Sequence, residues 1–274
     1  MMSVKLASPP LSTESDTAHK EVYRSNKVNM HIKANERLIL ALDVPLGRPH
    51  GLIELSDARA LVEQLDGVVS FFKIGWPLYM AGGQALIPEL VNKGKRVFLD
   101  LKFGDIPETI KRLVLVARDH GVSFITVNTS FDAVRAAVAV RGESDLKILT
   151  VTVLTSLADA DLREMGVDTD VETLALYKAK KASEFCDGVI ASGKEAALIR
   201  QNVRKDFLIV TPGIRPVGRA HDDHKRATTP TEAISAGADY LVVGRPITQA
   251  ENPRNAAAKI ITEMQDAFDA LAKP

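Results

Sequence analysis

The chain has 274 residues, with 35 Lys and Arg balanced by 35 Asp and Glu, and 46% of it is hydrophobic. The neutral balance argues against a broad nucleic-acid surface, and no apolar run approaches the ~20 residues of a membrane span. The single cysteine, Cys186, has no partner for an internal disulfide, which fits a reducing, cytoplasmic compartment.

Residues 1–35 lack the apolar core of a secretory signal and carry Glu and Asp, unlike a transit peptide. They read as a polar, partly disordered extension. Residues 36–274 read as one catalytic domain in which strand-like and helical segments alternate. The strand segments are RLILALDV (37–44), FFKIG (71–75), RVFLDLK (96–102), SFITVNT (123–129), KILTVTVL (147–154), GVIAS (188–192), FLIVTPGI (207–214) and YLVVGRPI (240–247). Helical stretches separate them, among them SDARALVEQLDG, PETIKRLVLVARDHG and VETLALYKAKKASEF, and NPRNAAAKIITEMQDAFDALAK closes the chain. Eight such units in this length predict an α/β fold, a closed (β/α)8 TIM barrel. A dinucleotide-binding sheet would need a G-x-G-x-x-G turn after the first strand, and VPLGRPHG has none.

In such a barrel, function gathers at the C-terminal ends of the strands. Side-chain alternation on the third strand turns Val97, Leu99 and Leu101 toward the helices and Phe98, Asp100 and Lys102 toward the axis. Charged residues there are unusual, because burying them is costly and barrel interiors favour Val, Ile and Leu. A buried ion pair is the plain alternative for Asp100 and Lys102. Asp105 follows in D-I-P-E, which reads by itself as a helix N-cap with Glu108 as its reciprocal partner and Pro107 in the first turn. Asp43 ends the first strand and Lys73 sits inside the second, a buried-looking strand that turns it toward the axis, with a lysine snorkelling out of the strand end as the plain alternative. Together these residues predict a lysine–carboxylate network suited to proton transfer.

The fifth strand ends with Thr155 and Ser156, which read equally well as turn residues or as ligand contacts. The seventh ends TPGIRP, with Pro212, Gly213 and Arg215. The eighth ends VVGRPIT, where Gly244 opens the backbone to a phosphate and Arg245 supplies a charged fork. HDDH (221–224) has a metal-like spacing but lies in a polar stretch flanked by Lys225 and Arg226, and reads as a mobile loop. His19, His31, His50 and His120 show no ligand spacing.

These motifs resemble the orotidine 5′-phosphate decarboxylase family. The pattern D-x-K-x-x-D-I-P-x-T, here Asp100, Lys102, Asp105, Ile106, Pro107 and Thr109, is similar to that family's signature. LDV, FKIG, TVLTS, TPGIRP and GADYLVVGRPIT follow the family's order across roughly residues 37–265. The resemblance implies decarboxylation of orotidine 5′-monophosphate without metal or cofactor. Asp43 and Lys73 would contact the ribose, Asp100 would face the substrate carboxylate, and Lys102 would protonate C6. Asp105, Ile106 and Thr109 would reach a neighbouring subunit's site, making a homodimer. Ser156 would contact the pyrimidine, Gly244 and Arg245 the phosphate, and Pro212 and Gly213 would begin a closing loop. In that loop His224 stands where many bacterial members carry a bridging Gln, and the fourth strand ends VNTS, leaving Asn128 without a role. Sugar-phosphate lyases and decarboxylases share the shorter D-x-K-x-x-D pattern and are the main alternative. A non-catalytic phosphate-binding barrel is the second.

Overall fold

A computed structural model describes residues 33–42, 54–216 and 226–273. The expectations for the N-terminal extension, for Asp43 and for HDDH with His224 fall outside these residues.

Eight parallel strands close into a barrel in chain order: β1 (Leu38–Ala41), β2 (Phe71–Gly75), β3 (Arg96–Phe103), β4 (Phe124–Val127), β5 (Lys147–Val151), β6 (Gly188–Ile190), β7 (Leu208–Thr211) and β8 (Tyr240–Val243), with β8 paired back onto β1. The predicted (β/α)8 barrel is therefore the observed fold. Most strands stop short of their predicted ends. After β8, Gly244 and Pro246 turn the chain into a short helix, Arg245–Thr248, rather than extending the strand.

Alternation along each strand divides the core into two layers. Outward residues such as Phe72, Ile74, Val97, Leu99 and Ile125 pack under the helices. The helix Pro107–Asp119 shows why: Ile110, Val114 and Ala117 recur at helical spacing and are its buried stripe. Inward residues, including Phe71, Phe98, Phe124, Val210 and Tyr240, fill the barrel. Phe124 packs edge-on against Phe71 and Tyr240, with ring centroids 5.0 and 5.2 Å away. Arg96 lies over the Phe71 ring at 4.1 Å. At β6, Gly188 is required by crowding, since a side chain there would meet the Leu208 carbonyl of β7 at 2.4 Å.

The N-terminal end of the barrel is held by two similar clamps. Asp239, just before β8, accepts the Ile209 amide at 2.8 Å and pairs with Arg200 at 2.5 Å. Asp187, just before β6, accepts the Ile148 amide at 2.7 Å and pairs with Arg141. Each carboxylate ties the start of one strand to its neighbour and to an overlying helix.

Candidate active site

The C-terminal ends of the strands surround a cavity of about 370 Å³. Its floor holds Lys73 from β2 and Asp100 and Lys102 from β3, above Phe98. Thr155 and Ser156 after β5 form one wall. Pro212, Gly213 and Arg215 after β7, with Gly244 and Arg245 after β8, form the other.

Asp100 is the hub. Lys102 Nζ lies 3.0 Å from its Oδ1 and 3.1 Å from its Oδ2, and Lys73 Nζ is 3.6 Å from Oδ2. The Thr126 hydroxyl donates to Oδ1 at 2.9 Å. Burial pushes the Asp100 carboxyl up, but the two lysines and the hydrogen bonds from Lys102 and Thr126 outweigh it and hold the carboxyl below the usual carboxylate range. Two cations therefore flank one buried anion. The Lys102 side chain is 36% exposed against 12% for Asp100, so its ammonium stands where a ligand can reach it.

Simple alternation does not bring Lys102 to this position. Leu99 pairs with Ile125 and Phe103 with Val127, so Asp100, Leu101 and Lys102 together face Thr126 alone. The strand bulges here, as strands often do at barrel rims beside active sites. Lys102 adopts φ 47°, the one positive φ at a non-glycine among the described residues. For a side chain of this size that conformation costs about 1–2 kcal/mol.

The helix-cap reading of Asp105 is corrected. The N-cap of Pro107–Asp119 is Ile106, which has no side-chain bond to the helix. The Asp105 carboxylate instead accepts the Ile106 amide at 2.7 Å. Glu108 turns away to Lys111 and Arg112. Pro107 at the first helical position has no N–H to satisfy and fixes the local turn without help. Asp105 and Ile106 are exposed and Thr109 is half-buried, and all three lie outside the cavity lining of their own chain.

Thr155 and Ser156 sit in a turn that Leu157 N–H closes onto Leu154 O at 2.9 Å, and both residues line the cavity. Arg226, which flanks the HDDH stretch, is buried, pairing with Glu195 at 2.7 Å and donating to the carbonyls of Val153 and Leu154 at 3.2 and 2.7 Å. It thereby fixes the turn that carries Thr155 and Ser156. The sequence reading also missed Thr126 and Trp76, whose indole N–H donates to Leu101 O at 2.7 Å. For Thr126 a signal existed: it is the next inward position after Phe124 on β4. For Arg226 there was none, because its partner is 31 positions away in the chain. Among the described residues no group of three or more His, Cys, Asp or Glu could hold a metal ion, and no helix is long and apolar enough to cross a membrane.

Residues 36–260 match the model of the family described as Orotidine 5′-phosphate decarboxylase / HUMPS. An orotidine 5′-phosphate decarboxylase of Nitrobacter winogradskyi is 49% identical over 86% of this chain and 95% of its own length. One from Methylococcus capsulatus is 45% identical over 88% and 97%. The crystal structure of the orotidine 5′-phosphate decarboxylase of Lactobacillus acidophilus superposes with a TM-score of 0.71 at 32% identity, covering 84% of this chain and 99% of that one. The match thus spans all eight strands and every described residue of the cavity floor, and the chain belongs to the orotidine 5′-phosphate decarboxylase / HUMPS family.

Proposed function

We propose that the chain decarboxylates orotidine 5′-monophosphate to uridine 5′-monophosphate in pyrimidine biosynthesis, with Lys102 as the acid that protonates C6. The observation that carries this reading is the Lys102 ammonium bonded to both Asp100 oxygens at the floor of a cavity whose rim bears Arg245. When the C6–carboxylate bond breaks, carbon dioxide departs and its bonding pair stays on C6. The ring offers no ready sink for that charge. A preorganised ammonium stabilises it electrostatically and then transfers a proton, forming the C6–H bond, and the neutral amine regains a proton from solvent.

Repulsion between Asp100 and the substrate carboxylate is too small to drive the reaction alone. Two unit charges ~4 Å apart at an effective dielectric near 20 repel by ~4 kcal/mol. Enzymes lower barriers by ~8–23 kcal/mol. Transition-state stabilisation by Lys102 must contribute more than ground-state strain. Arg245, with Gly244, Pro212, Gly213 and Arg215 beside it, binds the phosphate, and that remote binding energy helps assemble the charged site. Thr155 and Ser156 face the pyrimidine, and Lys73 and Asp43 the ribose. His224 stands in for the bridging Gln.

A homodimer in the cytoplasm belongs to the same reading. Asp105, Ile106 and Thr109 would complete the partner's site, which fits their position away from their own cavity and the 66% exposure of Ile106. The small molecule bound is a nucleotide, and neither nucleic acid nor membrane is a partner.

Purified protein supplied with orotidine 5′-monophosphate should consume its absorbance and release uridine 5′-monophosphate. The rate should be unchanged by a chelator, whereas a sugar-phosphate lyase of the same family is expected to need a divalent cation. Lys102→Ala should abolish turnover yet still bind substrate analogues. Parallel loss of binding and turnover would remove Lys102 from the acid's role.

A further inference from the structure

We infer that Thr126 is a positioning residue for the decarboxylation, acting through Asp100 and Lys102 at once. The inference rests on the proposed roles of those two residues.

The bulge in β3 raises the question of what holds it. A regular ladder would supply β4 backbone groups opposite each β3 residue, but here Asp100, Leu101 and Lys102 share a single partner position. The Thr126 side chain fills the gap. Its hydroxyl oxygen accepts the Lys102 amide at 2.8 Å, which replaces the missing rung. Its hydrogen goes to Asp100 Oδ1 at 2.9 Å. One hydroxyl therefore fixes the backbone at the strained residue and the orientation of the carboxylate that its ammonium grips.

Threonine suits this place. It is fully buried, so its β-branched side chain is stiff and no water competes for its hydroxyl. Donor and acceptor capacities are both used. The direction of the donated proton is set by Asp100, which is ionised and can only accept. The same bond also helps keep it ionised. From the other side, the Trp76 indole holds the Leu101 carbonyl and makes no hydrogen bond that reaches the charged pair. Thr126 is thus the contact that couples the bulge to the charged pair.

Thr126→Val keeps the shape and removes the hydroxyl. Its kcat should fall by roughly 10- to 100-fold while a substrate analogue binds within a few-fold of wild type. The acid limb of its pH profile should move to higher pH, because Asp100 loses a bond that favours its charged form. Thr126→Ser, which retains the hydroxyl, should recover most of kcat. If the valine variant does not accumulate as folded protein, Thr126→Ala carries the same expectation. A hydroxyl-free variant with kcat within twofold of wild type, or a serine variant as impaired as the valine one, overturns the inference. Lys102→Ala serves as the reference. Full turnover in that variant would remove the acid's role itself, whereas an inactive Lys102→Ala beside a fully active Thr126→Val would remove only the role of Thr126.

Discussion

At the N-terminal end of the barrel, Asp187 and Asp239 each meet one arginine and a backbone amide of the adjacent strand. At the C-terminal end, Asp100 meets two lysines and a threonine hydroxyl, and a cavity opens above it. Both ends bury aspartate against cations. The arginines below bind carbonyls as well, Arg200 reaching those of Phe207 and Gly237 and Arg141 that of Leu146, so both are tied into the fold. Lys102 above keeps a half-buried ammonium on a strained backbone at the cavity. The lower end uses charge to fix strand starts, and the upper end keeps charge available to a ligand.

The comparison can be broken most sharply at Lys102. Losing a proton donor is worth roughly 10²–10⁴ in rate, and losing a charge stabiliser roughly 10²–10³. Lys102→Ala should therefore reduce kcat by on the order of 10⁵. Its melting temperature should fall only modestly, since Lys73 remains beside Asp100 as a counterion and alanine keeps the strained backbone; calorimetry beside steady-state kinetics checks both halves. Asp239→Ala should do the reverse. It leaves Arg200 buried without its carboxylate and should destabilise the fold by about 3–5 kcal/mol, read by denaturant unfolding, while kcat of the folded fraction stays near wild type. A loss of turnover in the folded Asp239 variant would erase the division between the ends.

Arg245→Ala should weaken phosphate-bearing ligands by about 10- to 100-fold, in line with roughly 1.5–3 kcal/mol for hydrogen bonds to charged groups. The affinity of the corresponding nucleoside should hardly change, and calorimetric titration of the two ligands separates them. Equal losses would take Arg245 out of the phosphate site.

The smallest effect concerns acid. The Asp100 carboxyl is held below its ordinary value, so its contribution to stability is complete above the unfolded value, near 3.9, and is lost as pH falls through the lower folded value. Unfolding of wild type and Asp100→Asn across that acid range should show the wild type losing stability more steeply as pH drops. Parallel curves would mean that the lysines do not hold Asp100 ionised. Cys186 offers no comparable handle: burial pushes its thiol up to about 12, and it stays protonated throughout.

Much of the upper end was legible because the chemistry is local in sequence. D-x-K places Asp100 and Lys102 two apart on one strand, and the inward position of Lys73 follows from β2 alone. The cavity wall at Gly244 and Arg245 was legible for a similar reason, the two being adjacent at a strand end. The helix cap at Asp105 misled because D-I-P-E satisfies a capping pattern, while the backbone places Ile106 at the cap and turns Asp105 onto its neighbour's amide. The buried clamps were not legible, because Arg200–Asp239 and Arg226–Glu195 join residues 39 and 31 positions apart.

By itself, then, the sequence determined the eightfold alternation, the inward faces of the strands and the identity of the charged residues at their ends, since these follow from periodicities of two and 3.6 residues along the chain. Tertiary structure decided how those charges are presented. The bulge of β3 exists only against β4, Thr126 gains its two partners only across that pair, and the turn bearing Thr155 and Ser156 is fixed by an arginine from beyond β7. Strand pairing and burial are properties of neighbours in space, and the pairing of β4 with β3 is what makes Thr126 a neighbour of Asp100 and Lys102.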